Sequence, residues 1–510
     1  MIHSSSFPSR WLVLGIVSSA LTDVVFAADA GPVADARIEA LEKRIAELER
    51  QSVVHPKSKP TPTLIDENSA LAESEDLDPL ANRVDGKDIP GNVSVSDSFR
   101  IQLGGSLRMH TQYNNTSVGE TVSKALLPSA TSAGEDAFRM FASRSRLNAT
   151  VLGPDTLGGQ TSGFIEIDFQ RQTSDGEGGA ISTSPRLRHA YAYMRWNFKD
   201  VMTDDSQLRL TMGQTGSAWD LTPDTVDGNT MLGGLGAVNR RNPRIESVLA
   251  LPMTKGEDVV VGLGIERPYF GNSTVSSDLG SGDLSGFPAL SLGLGYVTKE
   301  RLGSHFGIGK MSVGARVVYG QYDEDFAGNS VNPNLTPPPL LGDNFNALAV
   351  HGGITMQRLG FNPTGRAQTM TLTIGGVWSQ GDAQHLNAGF DRRTVLQADG
   401  SLKEARSVGG FIQPIYYVTE TISLRAAYGQ QMALDDDRPA ATGSFTGGDY
   451  VRHTNEQFEL STWWTPGPLT FAVAWNRTDT VWRSVDPNTL VHTEQDGRND
   501  KFELITWFSF

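Results

Sequence analysis

At 510 residues with 38% hydrophobic content and no cysteine, the chain has room for one large domain with an appendage and relies on no disulfide. A formal net charge of -15 argues against nucleic acid as a partner. After the N-terminus no run approaches the roughly 20 consecutive apolar residues of a spanning helix, which leaves membrane strands open, because those are apolar on one face only.

In chain order, residues 1–27 read as a secretory signal peptide. Arg10 precedes an apolar run from Trp11 to Leu21 that is too short to span, and Val25-Phe26-Ala27 offers a cleavage end, so the mature chain is expected to start near Ala28. Residues 28–52 are expected to form a coiled-coil oligomerisation segment. Ile38, Leu41, Ile45 and Leu48 alternate spacings of three and four, flanked by Arg37, Glu42, Arg44 and Glu49. In a parallel homo-oligomer Arg37 would face Glu42 of the partner subunit. Two heptads are marginal alone, so other contacts must help hold subunits together. Ile at a with Leu at d favours two strands, and a trimer needs specification from elsewhere. Residues 53–97, rich in Pro, Ser, Asp and Glu, read as a periplasmic linker.

From residue 98 to residue 510 the texture is alternation. Phe99, Ile101, Leu103, Leu107, Met109 and Tyr113 share one parity; Arg100, Gln102, Ser106, Arg108, His110 and Gln112 share the other. Such a run exceeds the usual soluble strand of about five or six residues and suits a tilted membrane strand of about nine to eleven. Comparable segments begin near residues 99, 141, 163, 187, 207, 244, 257, 288, 307, 345, 366, 404, 421, 455, 468 and 500. Their connections are expected to alternate strictly between long, about 15 to 30 residues, and short, about 3 to 9, as in outer-membrane barrels. Tyr113, Tyr319, Trp378, Tyr428 and Trp475 at one rim, and Tyr296, Tyr417, Trp464, Phe508 and Phe510 at the other, are expected to face lipid as two aromatic girdles. The alternating strand that ends at Phe510 looks like the terminal sorting signal of bacterial outer-membrane proteins. The fold class is therefore all-β: a transmembrane antiparallel β-barrel of about 16 strands with a short N-terminal α-helical coiled coil.

The inward parity is basic. Arg100, Arg108, Arg144, Arg146, Arg186, Arg188, Arg209, Arg316 and Arg425 are expected to line the pore, against the acids Glu166, Asp168, Glu459 and Glu503. Arginines along a narrow low-dielectric wall favour anions, and the guanidinium fork suits carboxylate or phosphate. The alternative is that they pair with lumen acids and brace the wall. The third long loop, about residues 215 to 243, is expected to narrow the bore, with Asp220 and Asp224 facing Arg240, Arg241 and Arg244 across a transverse field. The acidic clusters Asp323-Glu324-Asp325 and Asp435 to Asp437 could hold calcium but are more often solvated tips, so neither metal nor cofactor is expected. There is no nucleophile elbow, zinc-protease motif or phosphate loop, so the chain does not read as an enzyme.

The segments Ser145-Arg146-Leu147, Glu166-Ile167-Asp168-Phe169, Arg186-Leu187-Arg188-His189-Ala190-Tyr191, Gly213-Gln214-Thr215 and Arg241-Asn242-Pro243-Arg244, in that order and spacing, resemble the DcaP-like family of outer-membrane porins. The resemblance implies a trimer of barrels in the outer membrane of a Gram-negative bacterium, among lipid and lipopolysaccharide, with passive uptake of small anions, notably dicarboxylates, and a periplasmic coiled coil. Gly216 stands after Thr215 where the family often has an aromatic residue, which touches the shape of the constriction. Phosphate or polyphosphate is the alternative cargo. A barrel-borne enzyme and a structural bridge to the periplasm are the alternatives from other classes.

Overall fold

The computed structural model describes residues 92–96, 99–115, 136–172, 183–198, 206–220, 241–254, 256–268, 286–298, 310–323, 344–360, 365–381, 394–396, 401–435, 451–486 and 491–510. The chain divides into two compact units, Met1–Pro62 and Thr63–Phe510, and everything described belongs to the second. The expected signal peptide, the coiled coil with Ile38, Leu41, Ile45 and Leu48, and nearly all of the linker lie outside the described residues.

The described residues form strands β1 (Asn92–Ser96), β2 (Phe99–Asn114), β3 (Ala137–Phe141), β4 (Arg146–Leu152), β5 (Gln160–Gln172), β6 (Thr183–Phe198), β7 (Ser206–Thr215), β8 (Asn242–Thr254), β9 (Glu257–Glu266), β10 (Ala289–Thr298), β11 (Lys310–Asp323), β12 (Asn344–Leu359), β13 (Thr369–Gln380), β14 (Thr394–Leu396), β15 (Leu402–Glu404), β16 (Arg406–Tyr417), β17 (Ile422–Ala433), β18 (Val451–Trp464), β19 (Leu469–Val485) and β20 (His492–Ser509). Consecutive strands pair antiparallel, with β13 passing to β16 across the separate β14–β15 hairpin. β20 returns to β2 over Ser106–Asn114 and closes the cylinder, so no long edge is left open to aggregation.

Two departures from simple alternation shape the wall. β3 and β4 share one edge of β2, β3 on His110–Asn114 and β4 on Arg100–Ser106, and together make a single interrupted stave. β1 pairs with the other edge of β2, from Asn92↔Gln102 to Ser96↔Phe99, on the line where β20 has ended. Counted by staves, the closed barrel among the described residues has sixteen. Residues 92–96, expected within the linker, are therefore a strand. They cover the part of β2 that the C-terminal strand is too short to reach.

The alternation sorts side chains as the sequence predicts. On β20 and just past its end Phe502, Leu504, Phe508 and Phe510 are exposed on the outer face, while Lys501, Glu503 and Ile505 are buried on the inner one. On β2 Leu103 is 60% exposed and His110 only 1%. An apolar outer surface with polar groups inside is the inverse of a soluble protein and suits lipid as the outer solvent.

Three expectations are corrected. The connections do not keep two separate length classes: 486–491 falls on the long-loop end yet is only six residues long, because β19 and β20 extend far past the apolar band, and 299–309 on the opposite end is one residue longer than 173–182. For the same reason the last strand begins at His492, well before residue 500. Tyr417 does not face out. On β16 Ile412 and Tyr416 are exposed and Gln413 and Ile415 are buried, so Tyr416 takes the girdle position and Tyr417 the inner parity, within 5.8 Å of Arg366.

Candidate functional site

The first site element grows from the break between β3 and β4. Phe141 pairs with His110 and Arg146 with Ser106, so Ala142–Ser145 bulge against three residues of β2. The bulge is pinned by Ser145 N–H to Ala142 O (3.0 Å), Phe169 N–H to Ser143 O (3.1 Å) and Arg108 N–H to Ser145 Oγ (3.0 Å). Bulges re-aim side chains. This one buries Arg144 against the Phe141 ring, 5.6 Å from its centroid, and keeps Arg146 inward as well.

A second bulge sits on β6. Glu166 pairs with His189 but Ile167 pairs with Leu187, leaving Arg188 as the extra residue. Arg186 and Arg188 therefore reach the same pair of carboxylates. Arg186 donates through Nε and Nη2 to Asp168 at 2.9 and 2.6 Å; Arg188 donates through Nε to Glu166 at 2.7 Å and through Nη1 to Asp168 at 2.7 Å. Arg146 lies 3.9 Å from Glu166. Across the barrel seam Glu503 accepts from Gln112 (2.7 Å), lies 2.9 Å from His110 Nδ1 and 3.1 Å from Lys501 Nζ. Arg144 stands within electrostatic reach of Glu503, Asp168, Arg146 and Arg188, joining both halves. This wall sets Arg144, Arg146, Arg186, Arg188 and Lys501 against Glu166, Asp168 and Glu503, and the cations are in excess.

A second network has the opposite balance. Glu266 accepts from Arg316 (2.7 Å) and lies 3.1 Å from Arg244; Arg316 is 3.6 Å from Asp220, and Arg244 is 3.9 Å from Glu246. Glu246 also accepts from Ser217 Oγ (2.6 Å) and from the Ala218 N–H (3.1 Å). The start of the third long loop is thereby fastened to the inner wall. Trp219 completes the fastening. Its indole lies over Gly262, Gly293 and Gly295, where an added Cβ would overlap the ring, and it packs with Ala218, Val260 and Val297. Only glycine leaves room for a tryptophan laid flat on a sheet.

Of the expected loop residues, Asp220 and Arg244 meet in this network. Arg241 donates to His189 at 3.1 Å. Asp224 and Arg240 lie outside the described residues. Of the expected lining arginines, Arg100 and Arg209 hold inward parity away from these networks. Arg108 and Arg425 lie over Trp507 and Trp463, at 5.5 and 3.6 Å from their centroids. Ion pairing thus engages Arg146, Arg186, Arg188 and Arg316, and among the groups named for the wall around Arg144 five cations stand with three carboxylates.

The sequence reading missed Glu246, Glu266 and Lys501, although their strand parity was available. It also misjudged Asp435, expected at a solvated tip. Burial raises its carboxyl pKa, but the Arg406 backbone N–H (2.7 Å) and the side-chain Nη2 (2.6 Å) and Nε more than offset this and hold it below the usual aspartate range. Among the described residues no group of three or more His, Cys, Asp or Glu is placed to hold a metal ion.

No family model matches the chain, and no curated protein matches it in sequence. Solved structures do. The outer membrane channel DcaP of Acinetobacter baumannii aligns over 82% of this chain and 100% of its own, at 17% identity and a TM-score of 0.56. An anion-selective porin from Comamonas acidovorans aligns over 81% of this chain and 100% of its own (10% identity, TM-score 0.43), as does the trimer form of OmpT from Vibrio cholerae (8% identity, TM-score 0.43). The DcaP likeness is one of fold: the same closed barrel on a different sequence.

Proposed function

We propose that the chain is an outer-membrane porin that lets small anionic solutes, carboxylates and dicarboxylates foremost, diffuse through an arginine-lined lumen. The supporting observation is the wall in which Arg144, Arg146, Arg186, Arg188 and Lys501 outnumber Glu166, Asp168 and Glu503. Within a low-dielectric cylinder a surplus of fixed cations raises the local anion concentration. Arg144, Arg146 and Arg188 are buried and act on passing anions through their field, while Arg186, its side chain 40% exposed and its fork fixed by Asp168, presents a contact that binds loosely and releases.

The Asp220–Glu246–Glu266 side, where acids outnumber Arg244 and Arg316, supplies the other pole of a transverse field. A solute with separated charges would be oriented as it passes. The fold likeness to an outer membrane channel agrees with a conducting role and an outer-membrane location. In this reading the loop end is extracellular, the end where β2 begins and β20 stops is periplasmic, and the coiled coil holds three barrels together.

Planar-bilayer recording in a salt gradient tests it: the reversal potential should favour chloride over potassium, and succinate should block current in competition with chloride. A cation-favouring reversal potential overturns the proposal. Forked arginine donors also suit phosphate, and stronger block by phosphate than by succinate would decide for that cargo.

A further inference from the structure

The bulge at Arg188 does more than add an arginine to the wall. Before it, the even residues of β6 face inward; after it, the odd ones do. His189, Tyr191 and the Ser162 partner Tyr193 stand opposite the inward residues Glu166, Phe164 and Ser162. A strand read by strict parity would send them to lipid. Instead Phe164, His189, Tyr191 and Tyr193 form a half-buried ladder on the inner wall, with centroids 5.6 Å apart for Phe164–Tyr191, 6.1 Å for Phe164–His189 and 6.3 Å for Tyr191–Tyr193. The neighbouring β7 gives way here: Gly213 faces Tyr191 at φ 129°.

The ladder is set between cations. Toward the loop end stand Arg186 and Arg188; toward the other end stand Arg195 and Arg209, Cα partners with inward parity. Counted on β5, from the Glu166/Ile167 step opposite the bulge to Gln160 opposite Arg195, the two arginines are about six residues apart, or about 20 Å at about 3.3 Å per residue. Arg241, at the end of the long loop, also reaches the ladder, donating to His189 Nε2. An arginine can only donate, so His189 carries its proton on Nδ1 and donates it to Thr215 Oγ1 at 3.2 Å. The ring is thereby fixed in the wall.

We propose that Phe164, His189, Tyr191 and Tyr193 form a subsite for the aromatic ring of an anionic solute whose carboxylate is held by the arginines above or below. Resting on the anion-porin reading, it names aryl carboxylates as a preferred class. Aliphatic anions of equal charge find the arginines but no matching π-faces. Ring-on-ring contact in such geometry corresponds to a preference of roughly two- to tenfold.

The test uses the whole protein in planar bilayers. Current-blocking dwell times are recorded for benzoate and for cyclohexanecarboxylate, which share charge and size but not aromaticity. Benzoate should dwell roughly two- to tenfold longer. The preference should vanish in Tyr191→Leu with Tyr193→Leu and survive in Tyr191→Phe with Tyr193→Phe; heat-modifiable migration on gels verifies that each barrel is folded. Equal dwell times in an anion-preferring wild-type channel overturn the subsite alone, even if the leucine variant fails to fold. A benzoate preference that survives the leucine pair overturns it too. A wild-type channel without chloride preference faults the porin reading instead.

Discussion

Trp219 and Gly293 are matched by exclusion: the indole occupies the space that any side chain at residue 293 would require. Gly262 and Gly295 complete the slot, at 2.5 and 2.7 Å between their would-be Cβ atoms and the ring. The match joins the root of the longest connecting segment to the inner faces of β9 and β10. Trp219→Ala removes a buried indole at a cost of about 3–5 kcal/mol and leaves the Glu246 contacts to hold the loop. We expect higher single-channel conductance and faster entry of bulky solutes in liposome swelling. Gly293→Ala should reproduce the same phenotype from the other side, and normal conductance in both would refute the fastening.

The surplus of cations around Arg144 predicts a change in selectivity without loss of the barrel. Arg144→Ala with Arg146→Ala should move the reversal potential toward that of potassium while heat-modifiable migration is retained. Arg144 sits in a bulge and contributes no ladder hydrogen bond, so its removal leaves the strand pairing intact. An unchanged reversal potential would exclude these two as selectivity residues.

Asp168 predicts the opposite sign. It accepts from both Arg186 and Arg188 in a buried site. Asp168→Asn removes one negative charge among cations, so anion preference should rise. Breaking a buried ion pair costs about 3–5 kcal/mol, so the thermal midpoint in detergent should fall together with that rise. A rise in neither preference nor instability would mean the pair is not formed.

Glu420 gives a pH dependence outside the membrane band. It lies in the turn between β16 and β17 and accepts from the N–H groups of Ala367 (3.0 Å) and Arg366 (3.1 Å) in the neighbouring turn. Those backbone hydrogen bonds, Ala367 first, hold its carboxyl below the usual glutamate range. A depressed carboxylate stabilises above its unfolded pKa of roughly 4.3 and loses that contribution as the pH falls through the lower folded value. Amide protection at Arg366 and Ala367 should therefore decline only at acid pH. In Glu420→Ala it should be weak at every pH, and protection that ignores the substitution would dismiss the clasp.

Phe510 closes the wall through paired hydrogen bonds with Gly105, N–H to O at 3.1 Å and O from N–H at 3.0 Å, with its ring exposed on the outer face. Phe510→Ala keeps the hydrogen bonds and removes the ring. We expect a reduced yield of assembled protein in the outer-membrane fraction with normal conductance of the molecules that insert. Equal yield would show that the Phe510 ring is dispensable for assembly of the wall.

Much of this architecture was legible in the chain because a barrel wall obeys a period of two. Lipid outside and water inside impose opposite demands on successive residues, so Leu103 against His110, or Phe502 against Glu503, announces both a strand and its facing. The inward arginines followed from the same rule. It failed where the period slipped. One extra residue at Arg188 reverses every facing after it, which hides His189, Tyr191 and Tyr193, and on β16 the outward aromatic is Tyr416, one residue from the expected Tyr417.

The strand number and the closure into one cylinder were legible in the chain alone, because alternation is a local property of each segment. Only the tertiary structure decided which arginines face which carboxylates, where the bulges fall, and that Trp219 lies on Gly262, Gly293 and Gly295. Those depend on register between strands far apart in sequence, and a shift of one residue in register changes the partners while leaving the alternation of each strand as it was.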